Sequence, residues 1–382
     1  MRSTLLAVLL LVLAASCKKQ ESPSSILASK LTPKLDSLFG TVKDFSGVAL
    51  VADKGKPVYH KAFGYQDFDT REPMDTTSIF ELASVSKQFT AMVMMMLKEE
   101  GKLNYDDRVE EYIPDFPYSP IHDTPNTDTV AVFMTIRHLL THTSGLPDYL
   151  EVMDQHWDKT KVAGNPECID YLIKYHPPRH FMPTAQYEYS NTGYMLLASI
   201  AEKASGIDFV SFARTRIFVP LEMTSTDIRS LDEKRMLRNM AWGHIWVPEK
   251  NAFIRADSMP QNDYNIWLGN RKGPGRISSC TSDLLKWDQA LYKGKLVGDS
   301  TLNEAFTTMK LNSGELSNYG FGWWLETNPK LGRVVRHSGG NPGYSTQIVR
   351  YIDANRTVIM LCNNAHSDFG VLLKGVESIA NF

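Results

Sequence analysis

Ser84, Val85, Ser86 and Lys87 set a hydroxyl and an amine three residues apart. On a helix that spacing puts both groups on one face, one turn from each other. A serine alcohol is a poor nucleophile until a neighbour takes its proton. A lysine can do so when burial, or the partial positive charge of a helix N-terminus, lowers its pKa. The pattern is short, and Ser16 to Lys19 repeats it near the start of the chain, so alone it specifies little. Two further clusters add weight. Tyr189-Ser190-Asn191 stands just ahead of a helical stretch, and His337-Ser338-Gly339 closes a strand-like run that leads into Gly340, Asn341, Pro342 and Gly343. No other Tyr-x-Asn or His-x-Gly occurs in the chain. Each residue also has an ordinary structural use: a packed aromatic for Tyr189, a helix cap for Asn191, a strand exit for His337. A serine with a lysine base beside it is suited to nucleophilic catalysis.

The elements that must position these groups follow from periodicity. After Ser84, residues Phe89, Met92, Val93, Met96 and Leu97 fall at helical spacing, and Gly101 is placed to end the helix. Ala91, Met94 and Met95 add apolar residues on its other sides, so this helix is expected to be buried nearly all round, its methionines serving as core packing. Residues 46–52 and 57–64 read as a hairpin around Asp53-Lys54-Gly55-Lys56. Helical stretches are expected at 135–141, 192–205 and 281–292. Strands are expected at 319–325, 333–337, 345–351 and 356–362, with a turn at Asp353-Ala354-Asn355 and a closing helix after His366. Strands at both ends with helices between predict an α/β (α+β) body. An antiparallel sheet joins the N- and C-terminal segments, flanked by helices, with a mainly helical inserted sub-domain.

Phe80 to Lys87, the run Leu139 to Pro147, and Arg276-Ile277-Ser278-Ser279 ahead of a Thr-Ser-Asp-Leu helix start carry a family likeness. With them come Tyr-x-Asn and His-x-Gly where the motif set has Ser-Asp-Asn and Lys-Thr-Gly. The chain resembles the serine β-lactamase superfamily, in particular its class C β-lactamase, D-alanyl-D-alanine carboxypeptidase and family VIII-type esterase branches, collinearly over residues 34–382. The resemblance implies a β-lactamase/transpeptidase-like fold, with a sheet sub-domain at about 34–80 and 276–382 and a helical one at about 81–275. It also implies that Ser84 attacks an acyl carbonyl and forms an acyl-enzyme while Lys87 and Tyr189 share the proton traffic. For Tyr189 to act as both acid and base, nearby cations must pull its phenol pKa down. Asn191 would bind the substrate amide or orient Lys87. The backbone N–H groups of Ser84 and Gly340 would form the oxyanion hole, and His337, Ser338 and Gly339 would contact substrate. No cofactor is implied, and the substrate is a small molecule or peptide: a β-lactam, a D-amino-acid peptide or an ester.

His337 stands where the motif has lysine, and alternation along a strand puts Arg336 on the opposite face. With a reference pKa of about 6.5, this histidine is expected to be mostly neutral at pH 7.5 and to gain charge as pH falls toward 6. Esterase activity with slow β-lactam turnover is the resulting expectation. The alternative is a non-catalytic, penicillin-binding-like lipoprotein that binds cell-wall peptide. Such a module has no need of Ser84, Lys87 and Tyr189 together. His138 and His142 are spaced for zinc, but no glutamate follows His138, so no metal site is expected.

Arg2, the apolar run 5–15 and the small residues Ala14, Ala15 and Ser16 read as an export leader, too short to span a bilayer. Cys17 follows directly and the arrangement resembles a bacterial lipobox, with Leu13 one place further from the cysteine than usual. A leader over 1–17 with Cys17 lipidated, and a polar tether over 18–33, would hold the protein at a bacterial membrane facing the periplasm or the outside. Cys168, Cys280 and Cys362 lack any paired or zinc-like spacing and read as buried thiols. A net charge of -2 argues against nucleic acid as a partner.

Overall fold

The computed structural model describes residues 22–118, 133–259 and 263–380. Cys17 and the leader lie outside the described residues. Six strands form one antiparallel sheet: β1 (Gly47–Asp53), β2 (Lys56–Phe63), β3 (Trp324–Asn328), β4 (Gly332–Asn341), β5 (Tyr344–Tyr351) and β6 (Arg356–Cys362), in the order β3-β4-β5-β6-β1-β2. The β1–β6 pairing joins the two ends of the chain, with Gly47 opposite Cys362 and Asp53 opposite Arg356. The expected β1–β2 hairpin is present, and Lys54 (φ 51°) and Gly55 (φ 74°) supply the two left-handed residues that its tight turn requires.

Alternation along the strands divides two cores. Val48, Leu50, Ile348, Ile359 and Leu361 face one way and pack with α2 (Lys87–Glu99). Ala49, Val51, Val349, Val358 and Met360 face the other way, toward α1 (Pro23–Gly40) and α5 (Phe369–Ile379). With both faces covered, β1 and β6 read as near-continuous apolar runs, which is why they stood out in the sequence. The helical part includes α3 (Asn191–Ser205) and α4 (Thr281–Ala290). In α2 every residue from Lys87 to Leu97 is buried, the four methionines included, as a helix apolar all round requires.

Two expectations are corrected here. Residues 23–33 are not tether but the first half of α1. The Ser22 hydroxyl accepts from the Ser25 N–H, Pro23 sits in the first turn, and Leu31, Leu35 and Phe39 bury one stripe against the sheet. The strand expected from residue 319 starts only at Trp324. Tyr319, Phe321 and Trp323 instead turn inward and are buried. Cys168, Cys280 and Cys362 are free, buried thiols.

Candidate active site

A short three-stranded sheet sets the position of Ser84. Its central strand, Ile277–Ser279, pairs with Phe80–Glu81 on one side and Asp227–Ile228 on the other. The Leu82 N–H donates to the Ile277 carbonyl at 2.8 Å, and the Ile277 N–H donates to Ser86 Oγ at 3.2 Å. Ala83 then takes φ 50°, a left-handed conformation that is strained for a residue with a Cβ. A 3-10 turn over Ala83–Ser86 runs into α2. This elbow leaves Ser84 partly exposed while Lys87, one turn on, is fully buried. Strand β4 closes the other side. Gly339 lies so near that a Cβ there would fall 2.2 Å from the Leu82 carbonyl oxygen, which also accepts from Thr346 Oγ1 at 2.7 Å.

The run from Leu139 to Pro147 brackets the second motif. Buried His142, at φ 57°, accepts from the Ser190 N–H through Nδ1 at 3.1 Å, and its ring centroid lies 4.4 Å from that of Tyr189. Thr192 Oγ1 donates to the Pro147 carbonyl at 2.7 Å and accepts from the Tyr149 N–H at 2.8 Å. Ser190 caps α3 by accepting from the Gly193 N–H at 3.2 Å. Asn191, first in that helix, donates through Nδ2 to Asp148 at 2.9 Å, which fixes its amide with Oδ1 toward Lys87. His138 turns elsewhere, to Thr135 and Thr184, so the two zinc-spaced histidines serve different partners.

Lys87 Nζ is the hub. It lies 3.1 Å from Ser84 Oγ and donates to Asn191 Oδ1 and to the Pro274 carbonyl, each at 3.0 Å. Two carbonyl acceptors take the two N–H bonds of a neutral amine and leave its lone pair for the Ser84 O–H. Burial drives the Lys87 pKa well below the usual lysine value. The positive charge of Arg271 pushes the same way, and Asp148 opposes it. Burial and Arg271 thereby favour the neutral amine, the form that can accept a proton.

Tyr189 departs from expectation. Burial pushes its phenol up, and outweighs the lowering by its hydrogen bond to Ser84. Burial thus favours the protonated phenol over the phenolate. Lys87 Nζ lies 4.7 Å from its ring centroid.

His337 is also corrected. Its side chain is 1% exposed, with Nε2 2.7 Å from Tyr319 OH and Nδ1 2.6 Å from the Ser338 carbonyl. The carbonyl can only accept, so Nδ1 carries the proton and Nε2 accepts from the tyrosine. Burial, with Lys87 adding to it, lowers the His337 pKa to about 3. The gain of charge expected near pH 6 does not occur in such a site. Arg336 points to the opposite face, as alternation requires, and pairs with Glu326 at 3.0 Å and Glu377 at 3.2 Å. Ser338 is exposed.

A cavity of about 230 Å³ fronts these groups, lined by Ser84, Tyr189, Asn191, Tyr264, Arg271 and Gly340 among others. Asp148, Arg271, Tyr264 and the Pro274 carbonyl were not picked out from the sequence. Asp148 could have been, since it directly follows the run ending at Pro147. The other three carry no local pattern.

A family model described as Beta-lactamase matches residues 35–378. Penicillin-binding protein 4* of Bacillus subtilis (strain 168) is 41% identical over 334 residues, covering 86% of this chain and 71% of that protein. Among solved structures, D-amino acid amidase from Ochrobactrum anthropi SV3 superposes with a TM-score of 0.71 at 24% identity, over 94% of this chain and 97% of that one. EstCE1, a hydrolase with promiscuous acyltransferase activity, gives 0.73 at 20% identity, over 94% and 100%. At these identities the two structures share the fold.

Proposed function

The chain belongs to the Beta-lactamase family, and from that premise we propose that it is a serine hydrolase that forms an acyl-enzyme on Ser84 and cleaves an ester or amide. The observation that carries this reading is the buried Lys87 amine, within hydrogen-bond reach of Ser84 Oγ and tied to two carbonyl oxygens. As Ser84 Oγ bonds to the acyl carbon, its proton passes to Lys87 Nζ. The backbone N–H groups of Ser84 and Gly340 hold the oxyanion. Collapse breaks the bond to the leaving amine or alcohol, which takes the Tyr189 proton, and the Lys87 ammonium restores the phenol. A water then attacks the acyl carbon with Lys87 again as base, and as the C–Oγ bond breaks and the carboxylic acid leaves, Ser84 Oγ takes that proton back from Lys87 Nζ.

A neutral His337 beside Tyr189, in place of a cationic lysine, supports an ester or D-amino-acid peptide substrate over efficient β-lactam turnover. The leader and Cys17 support export and lipid anchoring at a bacterial membrane. The test is Ser84→Ala, which should reduce p-nitrophenyl acetate hydrolysis to background while keeping the wild-type melting transition. Wild-type turnover in that variant would remove Ser84 from the chemistry.

A further inference from the structure

The wall of the Ser84 cavity contains a guanidinium without a counter-ion among the described residues. Arg271 is 4% exposed and lines the cavity with Leu150, Tyr264 and Asn341. Its Nη1 donates to Tyr149 OH at 3.0 Å and its Nη2 to Asn265 Oδ1 at 3.3 Å, both neutral acceptors. Its Nε is buried with no partner among the described residues. The adjacent Lys272 is the ordinary case, paired with Glu202 at 2.8 Å and Asp208 at 2.6 Å. The carboxylate of the site, Asp148, is engaged by Asn191 Nδ2 and the Leu150 N–H. Arginine does not deprotonate in a protein, and a buried charge is normally paired.

A second donor on the same wall is also unsatisfied. Asn341 Oδ1 accepts from Tyr264 OH at 3.0 Å, while its Nδ2 is buried with no partner among the described residues. Two residues of the wall around Ser84, one cationic and one neutral, thus each carry a buried donor with no partner among the described residues. A carboxylate suits both, because it only accepts, carries two oxygens and matches the guanidinium in charge.

Placement assigns the end of the substrate concerned. Tyr189, the leaving-group acid, packs among His142, Tyr319 and His337. Arg271 packs instead on Tyr149 and on the Tyr264 ring, 5.3 Å from its centroid. We infer that Arg271, helped by Asn341, is a specificity-determining residue that binds a free carboxylate on the acyl portion of the substrate. This rests on the acyl-enzyme reading of Ser84.

The test uses four p-nitrophenyl esters: the mono-esters of glutaric, adipic and pimelic acids, which place the charge at three reaches, and the neutral hexanoate. The wild-type protein should favour at least one anionic ester over the hexanoate by about 10- to 100-fold in kcat/KM, mainly through KM, the range of a charge-assisted bidentate contact. Arg271→Gln should bring that ratio to about 1, and Arg271→Lys, which keeps the charge without the fork, should leave it in between. The ratio cancels any general loss that Arg271 causes through Lys87 or through packing. Asn341→Ala should lower it severalfold without Arg271 being altered. Wild-type protein that favours none of the three anionic esters would overturn the inference, as would Arg271→Gln with the wild-type ratio. Failure to hydrolyse any ester, the hexanoate included, would overturn the acyl-enzyme reading beneath it.

Discussion

Replacing Gly339 by alanine tests how β4 locates the nucleophile. The added Cβ would lie 2.2 Å from the Leu82 carbonyl oxygen, 2.4 Å from Thr346 Oγ1 and 3.1 Å from Ala83 Cβ, where real Cβ atoms essentially never come closer than 3.0 Å. The hydroxyl can rotate away, but the carbonyl cannot. It belongs to a residue whose N–H is fixed to Ile277 and which stands two places before Ser84. Strand and elbow must therefore part by about 1 Å, a misplacement that costs about 10²-fold in rate when it reaches a reacting group. Overpacking of this kind costs about 1–3 kcal/mol of stability. Gly339→Ala should accordingly lose about 10²-fold in kcat for p-nitrophenyl acetate and lower the urea midpoint by a matching amount. At Gly340 a Cβ meets nothing within 4 Å, so Gly340→Ala should keep the wild-type urea midpoint. A Gly339→Ala protein with wild-type kcat and midpoint would refute this account of the elbow.

Lys87→Ala and Tyr189→Phe should each lose about 10²-fold or more in kcat, the range for displaced proton-transfer groups. If steady-state kinetics leave both within threefold, the proton path is misassigned. His337 is held neutral down to about pH 3 while its unfolded counterpart titrates near 6.5, so its stabilisation is whole above pH 6.5 and is lost as pH falls from there toward 3. Within that window it contributes a slope of about 1.4 kcal/mol per pH unit. Urea unfolding at pH 7 and 5 should show that slope shrinking in His337→Gln, and an unchanged slope would mean the imidazole is not held neutral. Expressed with its leader in a bacterial host, the wild-type protein should partition to membranes, and Cys17→Ala should release or misprocess it. Soluble wild-type protein with a free Cys17 thiol would contradict lipidation.

Local patterns were legible in the sequence and long-range ones were not. Ser84 and Lys87 share a helical face, and Tyr189 and Asn191 sit at a capped helix start, so their placement could be read from short windows. Strands β1 and β6 announced themselves because both of their faces are covered, and β2 through the turn chemistry of Asp53 to Lys56. The helix α1 was hidden by its serines and lysines, although Leu31 and Leu35 already stood four apart. Asp148, Arg271 and the Pro274 carbonyl reach Lys87 or Asn191 from segments more than 40 residues away in sequence, beyond any motif. The charge states of Tyr189 and His337 were misjudged for one physical reason. Tyr189 was assigned from neighbouring charges and His337 from its reference pKa, whereas burial dominates each of them, and burial is a property of the folded chain.

The central claim, that Ser84 activated by Lys87 carries the acyl group, is tested most directly by covalent trapping. Full-length protein is treated with a fluorophosphonate or a fluorescent penicillin, weighed intact and mapped by peptide mass. The account predicts a single adduct on the peptide containing Ser84, absent in Ser84→Ala and formed far more slowly in Lys87→Ala. No adduct with either reagent, or an adduct that persists in Ser84→Ala, would contradict it.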